Sequence, residues 1–153
     1  MISPPAPLGI HHLKFPVSDL ATSLNFYERA FAARRIPEAD HRRTADGELY
    51  AYIIAIEGLG MLELRLHPSR ARRHALFDPL TLRVADRVAL TAWIAHLDTI
   101  GATHSPVITA VQAWLVVVED PDGNRIRLYT DEKHGPELSP QENHPWIADP
   151  EDA

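Results

Sequence analysis

Two stretches of the chain follow one template and differ where chemistry would sit. The first runs His12-Leu-Lys-Phe-Pro-Val17-Ser-Asp19, the second Pro79-Leu-Thr-Leu-Arg-Val84-Ala-Asp86. A second echo sets Leu62-Glu63-Leu64 against Ile126-Arg127-Leu128. By position, His12 answers to Pro79 and Glu63 to Arg127. His12 and Glu63 are by type an acid–base pair, an imidazole and a carboxylate. Proline offers no side-chain lone pair, and arginine stays cationic at any working pH. By strand alternation Lys14, Arg65, His67, Thr81, Arg83 and Tyr129 share the faces of these four positions, and Tyr50, Tyr52 and Trp114 come from neighbouring strands. Aromatic rings with several cations suit a planar, oxygen-rich or anionic small molecule. The candidate ligand-binding set is therefore His12, Lys14, Tyr50, Tyr52, Glu63, Arg65, His67, Arg83, Trp114, Arg127 and Tyr129. His12 and Glu63 are the catalytic candidates if the chain is an enzyme.

Regular elements must position these side chains. Residues 10–17 alternate as a strand, with Leu13, Phe15 and Val17 on one face and His12, Lys14 and Pro16 on the other. Ser18 or Asp19 can cap a helix whose apolar stripe is Leu20, Leu24, Tyr27 and Phe31. A polar stretch with Pro37, Asp40 and Asp46-Gly47 suggests a ragged second strand and a turn. Strands are expected at 49–56 and 61–67, the latter setting Leu62, Leu64 and Leu66 against Glu63, Arg65 and His67. Residues 68–77 turn basic and loop-like, with Arg70, Arg72, Arg73 and His74. The pattern then restarts with a strand at 80–84 and a helix over 86–100 turning Val88, Leu90, Ile94 and Leu97 inward, with Gly101 as its C-cap. Strands around 106–109 and 114–118, a tight turn at Asp120-Pro-Asp-Gly-Asn124 and a last strand at 125–129 complete it. Each half reads β-α-β-β-β.

The domain organisation follows: an extended segment 1–8, a first module 9–67, a linker 68–78, a second module 79–130 and a tail 131–153. The tail carries Pro136, Pro140, Pro145 and Pro150 among acidic residues, the composition of a solvated segment. Trp146-Ile147 is the exception, an apolar pair expected to dock.

At 153 residues, with 45% hydrophobic and 24% charged residues, the chain has the composition of a folded globular domain. A formal net charge of −6 argues against nucleic acid or an anionic membrane as partner. Zero cysteines exclude disulfides, thiolate metal sites and cysteine nucleophiles. No signal-like start and no membrane-length apolar run are seen, so the expected location is the cytoplasm. Gly58-Leu-Gly60 is an isolated turn rather than a phosphate loop, and no serine sits in a nucleophile elbow.

The pattern of His12, Val17, Asp19-Leu20, Ser23 and Phe26-Tyr27, with Asp120-Pro-Asp-Gly-Asn124 before a final strand, resembles the vicinal oxygen chelate superfamily. That superfamily includes glyoxalase I, bleomycin-resistance proteins, fosfomycin-resistance enzymes, methylmalonyl-CoA epimerase and extradiol dioxygenases. The resemblance covers roughly residues 9–130. It implies an α+β fold, two tandem β-α-β-β-β modules forming a curved mixed sheet around a cavity, and a homodimer. Metal-using relatives place ligands on the first and last strand of each module, which carries over to His12, Glu63, Pro79 and Arg127. Only the first two can ligate, and catalytic zinc sites typically use three protein ligands. No cofactor is therefore expected, a divalent metal at His12 and Glu63 being the lesser option.

Without a metal, a buried Glu63 needs another partner. Arg127, at a former ligand position, is expected to approach and pair with it near His12, unless both side chains simply reach solvent at the cavity mouth. The functional expectation is a metal-independent protein of the glyoxalase/bleomycin-resistance type that binds a small organic ligand and sequesters an antibiotic or natural product. The alternative is a metal-dependent or acid–base enzyme of the lyase, isomerase or dioxygenase class. A third reading is an accessory protein whose acidic tail recognises another protein.

Overall fold

The structure, a computed structural model, describes residues 3–148; Pro150 and the first two residues lie outside them. The first half consists of β1 (Leu13–Val17), α1 (Leu20–Phe31), β2 (Arg34–Arg35), a single 3-10 turn (Pro37–Ala39), β3 (His41–Arg42), β4 (Leu49–Ile56) and β5 (Gly60–Leu66). After α2 (Pro68–His74) the second half has β6 (Leu80–Val84), α3 (Arg87–Ile100), β7 (Ile108–Thr109), β8 (Ala113–Glu119) and β9 (Arg125–Lys133). The first sheet is ordered β1-β5-β4-β2, with β3 also on β4; the second is ordered β6-β9-β8-β7. In each, the opening strand runs parallel to the closing one. The sequence repeat is thus a repeat of topology. Among the described residues no strand of one sheet pairs with a strand of the other.

Both long helices start where an aspartate can satisfy free amides. The Asp19 carboxylate accepts from the Thr22 amide at 2.7 Å, and Asp86 from Ala89 at 2.8 Å. α3 ends on Gly101 at φ 68°, a left-handed conformation that suits glycine. α1 buries Leu20, Ser23, Tyr27, Ala30 and Phe31, and α3 buries Leu90 and Leu97, with Trp93 and Ile94 packed at the margin. Val88, expected inward, is 79% exposed. At about 100° per residue it lies some 200° around the helix from Leu90, on the solvent side.

Strand alternation gives each sheet one face toward the helices and one open face. Leu13, Phe15, Ile54, Leu62 and Leu64 from the first sheet join Val116, Val118, Ile126 and Leu128 from the second, with both helices, in one shared core. α1 meets α3 through Phe31 and Trp93, ring centroids 5.6 Å apart. The Asp120–Asn124 turn ties the halves a second time. Tyr27 Oη donates to Asp120 at 2.9 Å, Asn124 Nδ2 donates to the Pro16 carbonyl at 3.2 Å, and the Ser18 amide donates to Asp122 at 3.0 Å. Burial pushes the Asp120 carboxyl up, against the pull of the donors from Asn124, Tyr27 and Asp122. These motif residues serve as a joint between modules. Within the turn, Gly123 has φ +82°, and a Cβ there would stand 3.1 Å from Ala75 Cβ.

Two stretches depart from expectation. Residues 68–74 form a helix rather than a loop: Pro68 occupies its first turn, His67 caps it through the Arg70 amide, and Ala71 is buried. The tail also does not float. β9 continues to Lys133, and the following residues turn back across the open face of the second sheet.

Candidate functional site

Glu63 stands in the middle of β5, opposite Lys14 on β1 and Ile53 on β4. Its side chain is 1% exposed, and four basic groups surround it. His12 Nε2 lies 3.2 Å and Lys14 Nζ 3.6 Å from Oε2; Arg65 Nε lies 2.5 Å and His41 Nδ1 3.6 Å from Oε1. His11 Nδ1 is 2.9 Å from His12 Nδ1, so one imidazole donates there and the other accepts. The Arg65 guanidinium carbon sits 4.7 Å above the Tyr50 ring, which His41 and Arg43 also approach. Burial alone would raise the Glu63 carboxyl; Arg65, Lys14 and His41 outweigh it and hold the group below its ordinary range. The four bases keep 32%, 50%, 33% and 37% of their side-chain surface (His12, Lys14, Arg65, His41). A buried anion thus organises a basic surface that a ligand can reach. Net charge is positive: two fixed cations and two imidazoles against one carboxylate.

The expected pair of Glu63 with Arg127 does not form. Arg127 binds Asp78, the residue just before Pro79, while Glu63 is satisfied by Arg65 two positions along its own strand. The two side chains belong to different sheets, and each finds a nearer partner. His12, Lys14, Tyr50, Glu63 and Arg65 are brought together. The remaining candidates are not. Tyr52 falls with Ile54 and Leu64 on the helix side, under the Arg35 guanidinium at 4.1 Å. Trp114 likewise joins Val116 on the helix side, under Arg87 at 4.9 Å and beside His134. His67 caps α2, and Arg83 is 83% exposed in a pair with Asp131. Tyr129 lies on the second sheet's open face, packed against the cluster that Trp146 and Ile147 cover.

Sequence reasoning misses His41. It comes from the ragged polar stretch, where no alternation exists to assign a face, and the basic run His41-Arg42-Arg43 is the only signal. Asp78 escapes because it precedes the repeat.

A metal is implied by relatives of this fold, and the donor set can be tested for it. Pro79 has no donor atom, Arg127 is a cation held by Asp78, and both Glu63 oxygens face basic side chains. Among the described residues no three histidines or carboxylates are disposed to hold one ion; His12 and His41 approach different oxygens of Glu63. The residues present do not fit a divalent metal.

No curated protein matches the chain in sequence. Solved structures do match in fold. A glyoxylase/bleomycin resistance protein/dioxygenase domain from Frankia sp. EAN1pec superposes with TM-score 0.64 at 19% identity, covering 83% of this chain and 100% of that one. TnmS3, an antibiotic binding protein from Streptomyces sp. CB03234, gives 0.63 at 22% identity over 83% and 98%. The fosfomycin resistance protein FosX from Listeria monocytogenes, in a mutant form complexed with Mn(II) and a dihydroxypropylphosphonic acid, gives 0.66 at 15% identity over 83% and 95%. These likenesses establish the fold. The family model for the Glyoxalase/Bleomycin resistance protein/Dioxygenase superfamily matches residues 9–128, and the chain belongs to that superfamily.

Proposed function

We propose that this chain is a metal-independent small-molecule-binding protein that holds an anionic or oxygen-rich organic ligand on the Glu63 platform and sequesters it. An antibiotic or other natural product is the class in view, as for the antibiotic binding protein that shares the fold. One observation carries the reading: a fully buried carboxylate holds Arg65, Lys14, His12 and His41 with their outer surfaces open. Guanidinium, ammonium and imidazole groups fixed in this way meet a carboxylate, phosphonate or enolate without reorganising. The working unit is a homodimer. An apolar groove of about 1220 Å³ between the halves, lined by Leu13, Phe31, Leu80, Leu82 and Trp93, is of a kind that a second copy covers. Absence of cysteine suits a reducing cytoplasm. Among the described residues no helix is long and apolar enough to cross a membrane.

The test is calorimetric titration of the purified protein, with and without a chelator, against a panel of phosphonate and aromatic carboxylate antibiotics. Binding that survives the chelator and weakens about tenfold or more in Lys14→Met supports the reading, one lost charge-assisted contact being worth roughly that. Binding that requires a stoichiometric metal overturns it. The 3.2 Å approach of His12 Nε2 to Glu63 favours a second reading, acid–base catalysis on the bound molecule. Ligand recovered chemically altered, with His12→Ala abolishing the change, would establish that instead.

A further inference from the structure

The second sheet's open face carries a feature that the Glu63 platform does not use. Ile108, Ala110, Leu115 and Val117 form a buried apolar cluster there, and Tyr129, Trp146 and Ile147 pack onto it. Trp146 and Ile147 come from the tail. The indole lies under the Arg125 guanidinium, 4.7 Å from carbon to centroid, and Arg125 Nη1 also donates to the Trp146 carbonyl at 3.1 Å. Arg125 is itself steadied by Glu119, 3.1 Å from its Nε. Beside Trp146 a cavity of about 310 Å³ remains, bounded across from the tail by Phe77 and Asp78 of the linker. The tail therefore fills only part of the space.

What holds the tail is slight. Gln141 clamps Thr109 on the edge strand β7, its amide donating to the Thr109 carbonyl at 2.9 Å and its side chain accepting from the Thr109 amide at 2.7 Å. His134 anchors the turn at the start. No described residue after Lys133 is buried. An apolar floor, a cation stacked on a ring, and a guanidinium hydrogen bond to an oxygen at the ring's margin describe how this face grips its present occupant.

We propose that this face is a second binding site, for a flat aromatic ligand bearing an anionic or carbonyl oxygen, and that Trp146 is its intramolecular competitor. The ligand stacks under Arg125 in place of the indole, gives its oxygen to the guanidinium in place of the Trp146 carbonyl, and extends into the space beside Phe77. The tail is then a plug that sets the affinity of the site, because a site blocked most of the time binds more weakly by the fraction left open. Its floor is on the second sheet, whereas the Glu63 platform is built on the first.

Anilinonaphthalene sulfonate, an aromatic anion with a flat naphthalene ring, is the probe. In the full chain, Trp146→Ala with Ile147→Ser should bind the probe at one site about tenfold more tightly than the native protein, the gain expected if the plug is docked some nine-tenths of the time. Adding Arg125→Ala to that variant should cancel the gain. Unchanged affinity in the plug variant overturns the proposal. So does a gain that survives loss of Arg125, which would mean that apolar surface alone had been uncovered. Native protein gives a check that needs no substitution. Saturating probe should speed amide exchange over residues 141–148, where Ile147 and Ala148 donate to the His144 carbonyl; unchanged exchange at saturation overturns the competition.

Discussion

On the first sheet, the centre of the open face is Glu63, flanked by Lys14 on β1 and by Arg65 two residues on. At the matching places of the second sheet stand Arg127, Thr81 and Tyr129, and the positions of Ala51 and Ile53 on β4 correspond to Leu115 and Val117 on β8. One face is thus built around a charge and the other around an apolar strip. The difference in what covers them follows. A buried carboxylate ringed by cations is satisfied, and the ring can stay open to solvent. A strip of Ile108, Leu115 and Val117 left bare would cost about 25 cal/mol per Å² of exposed apolar surface, and the chain's own tail lies on it. Duplication supplied two equivalent faces; the side chains made one a polar platform and the other a docking floor.

The sharpest way to break this comparison is to remove the central group from each face. Glu63→Leu leaves Arg65, Lys14, His12 and His41 crowded with no counter-charge. It should destabilise the fold by about 2–3 kcal/mol in urea unfolding, somewhat below the ~3–5 kcal/mol of a fully enclosed pair because the partners are part-exposed. Arg127→Leu releases only a part-exposed pair with Asp78 and should cost about 1 kcal/mol or less. Equal costs would show that the two faces are held by the same kind of interaction, and the distinction would fail.

Acidity should separate the halves in opposite directions. The Glu63 carboxyl is held below 4.5 in the fold. Its contribution is fully present above that value and is lost as pH falls through the lower folded value. His134, at the start of the tail, has Nδ1 2.8 Å from the Gly135 carbonyl and Nε2 2.9 Å from the Ala110 carbonyl. Both nitrogens serve as donors only in the imidazolium, which raises its pKa above 6.5. Tail docking is therefore favoured below 6.5 and weakened as pH rises through the folded value. Glu137 adds to the raise, while burial opposes it. Hydrogen exchange of residues 134–148, corrected for intrinsic rate and compared on either side of 6.5, should be faster on the alkaline side. Protection that rises with pH would remove His134 as the anchor.

Much of the fold was legible because it rests on period and capping. Leu13, Phe15 and Val17 alternate, Asp19 and Asp86 precede helical stripes, and Gly101 ends one of them. Of the site, alternation correctly grouped His12, Lys14, Glu63 and Arg65, since all four lie on or beside paired regular strands. It could not place His41, whose two-residue strand has no pattern, nor decide the facing of Tyr52 and Trp114 before the strand register was known. The Glu63–Arg127 pairing failed for another reason. Matching positions in a repeat are related by topology, not by distance, and a closer partner for each was available at Arg65 and Asp78. Docking of Trp146 was legible as a tendency of the residue. Its target, an apolar strip on the opposite side of a strand from the core, was not.

The smallest effect is expected at Arg83, and it tests whether charge alone makes a face functional. Arg83 shares the second sheet's open face with Arg127 by register, and its guanidinium meets Asp131 through Nε at 3.0 Å and Nη2 at 2.7 Å. The pair is bidentate yet lies in solvent, 83% and 54% exposed, where water competes for both partners. Asp131 holds the guanidinium above its ordinary range, but neither group changes charge near neutral pH. Arg83→Ala should leave the unfolding midpoint, probe binding under Arg125 and ligand binding at Glu63 unchanged within error. A measurable loss in either binding assay would mean that the open faces extend to the edge strand β6, and the boundary drawn between platform, plug and solvent would have to move outward.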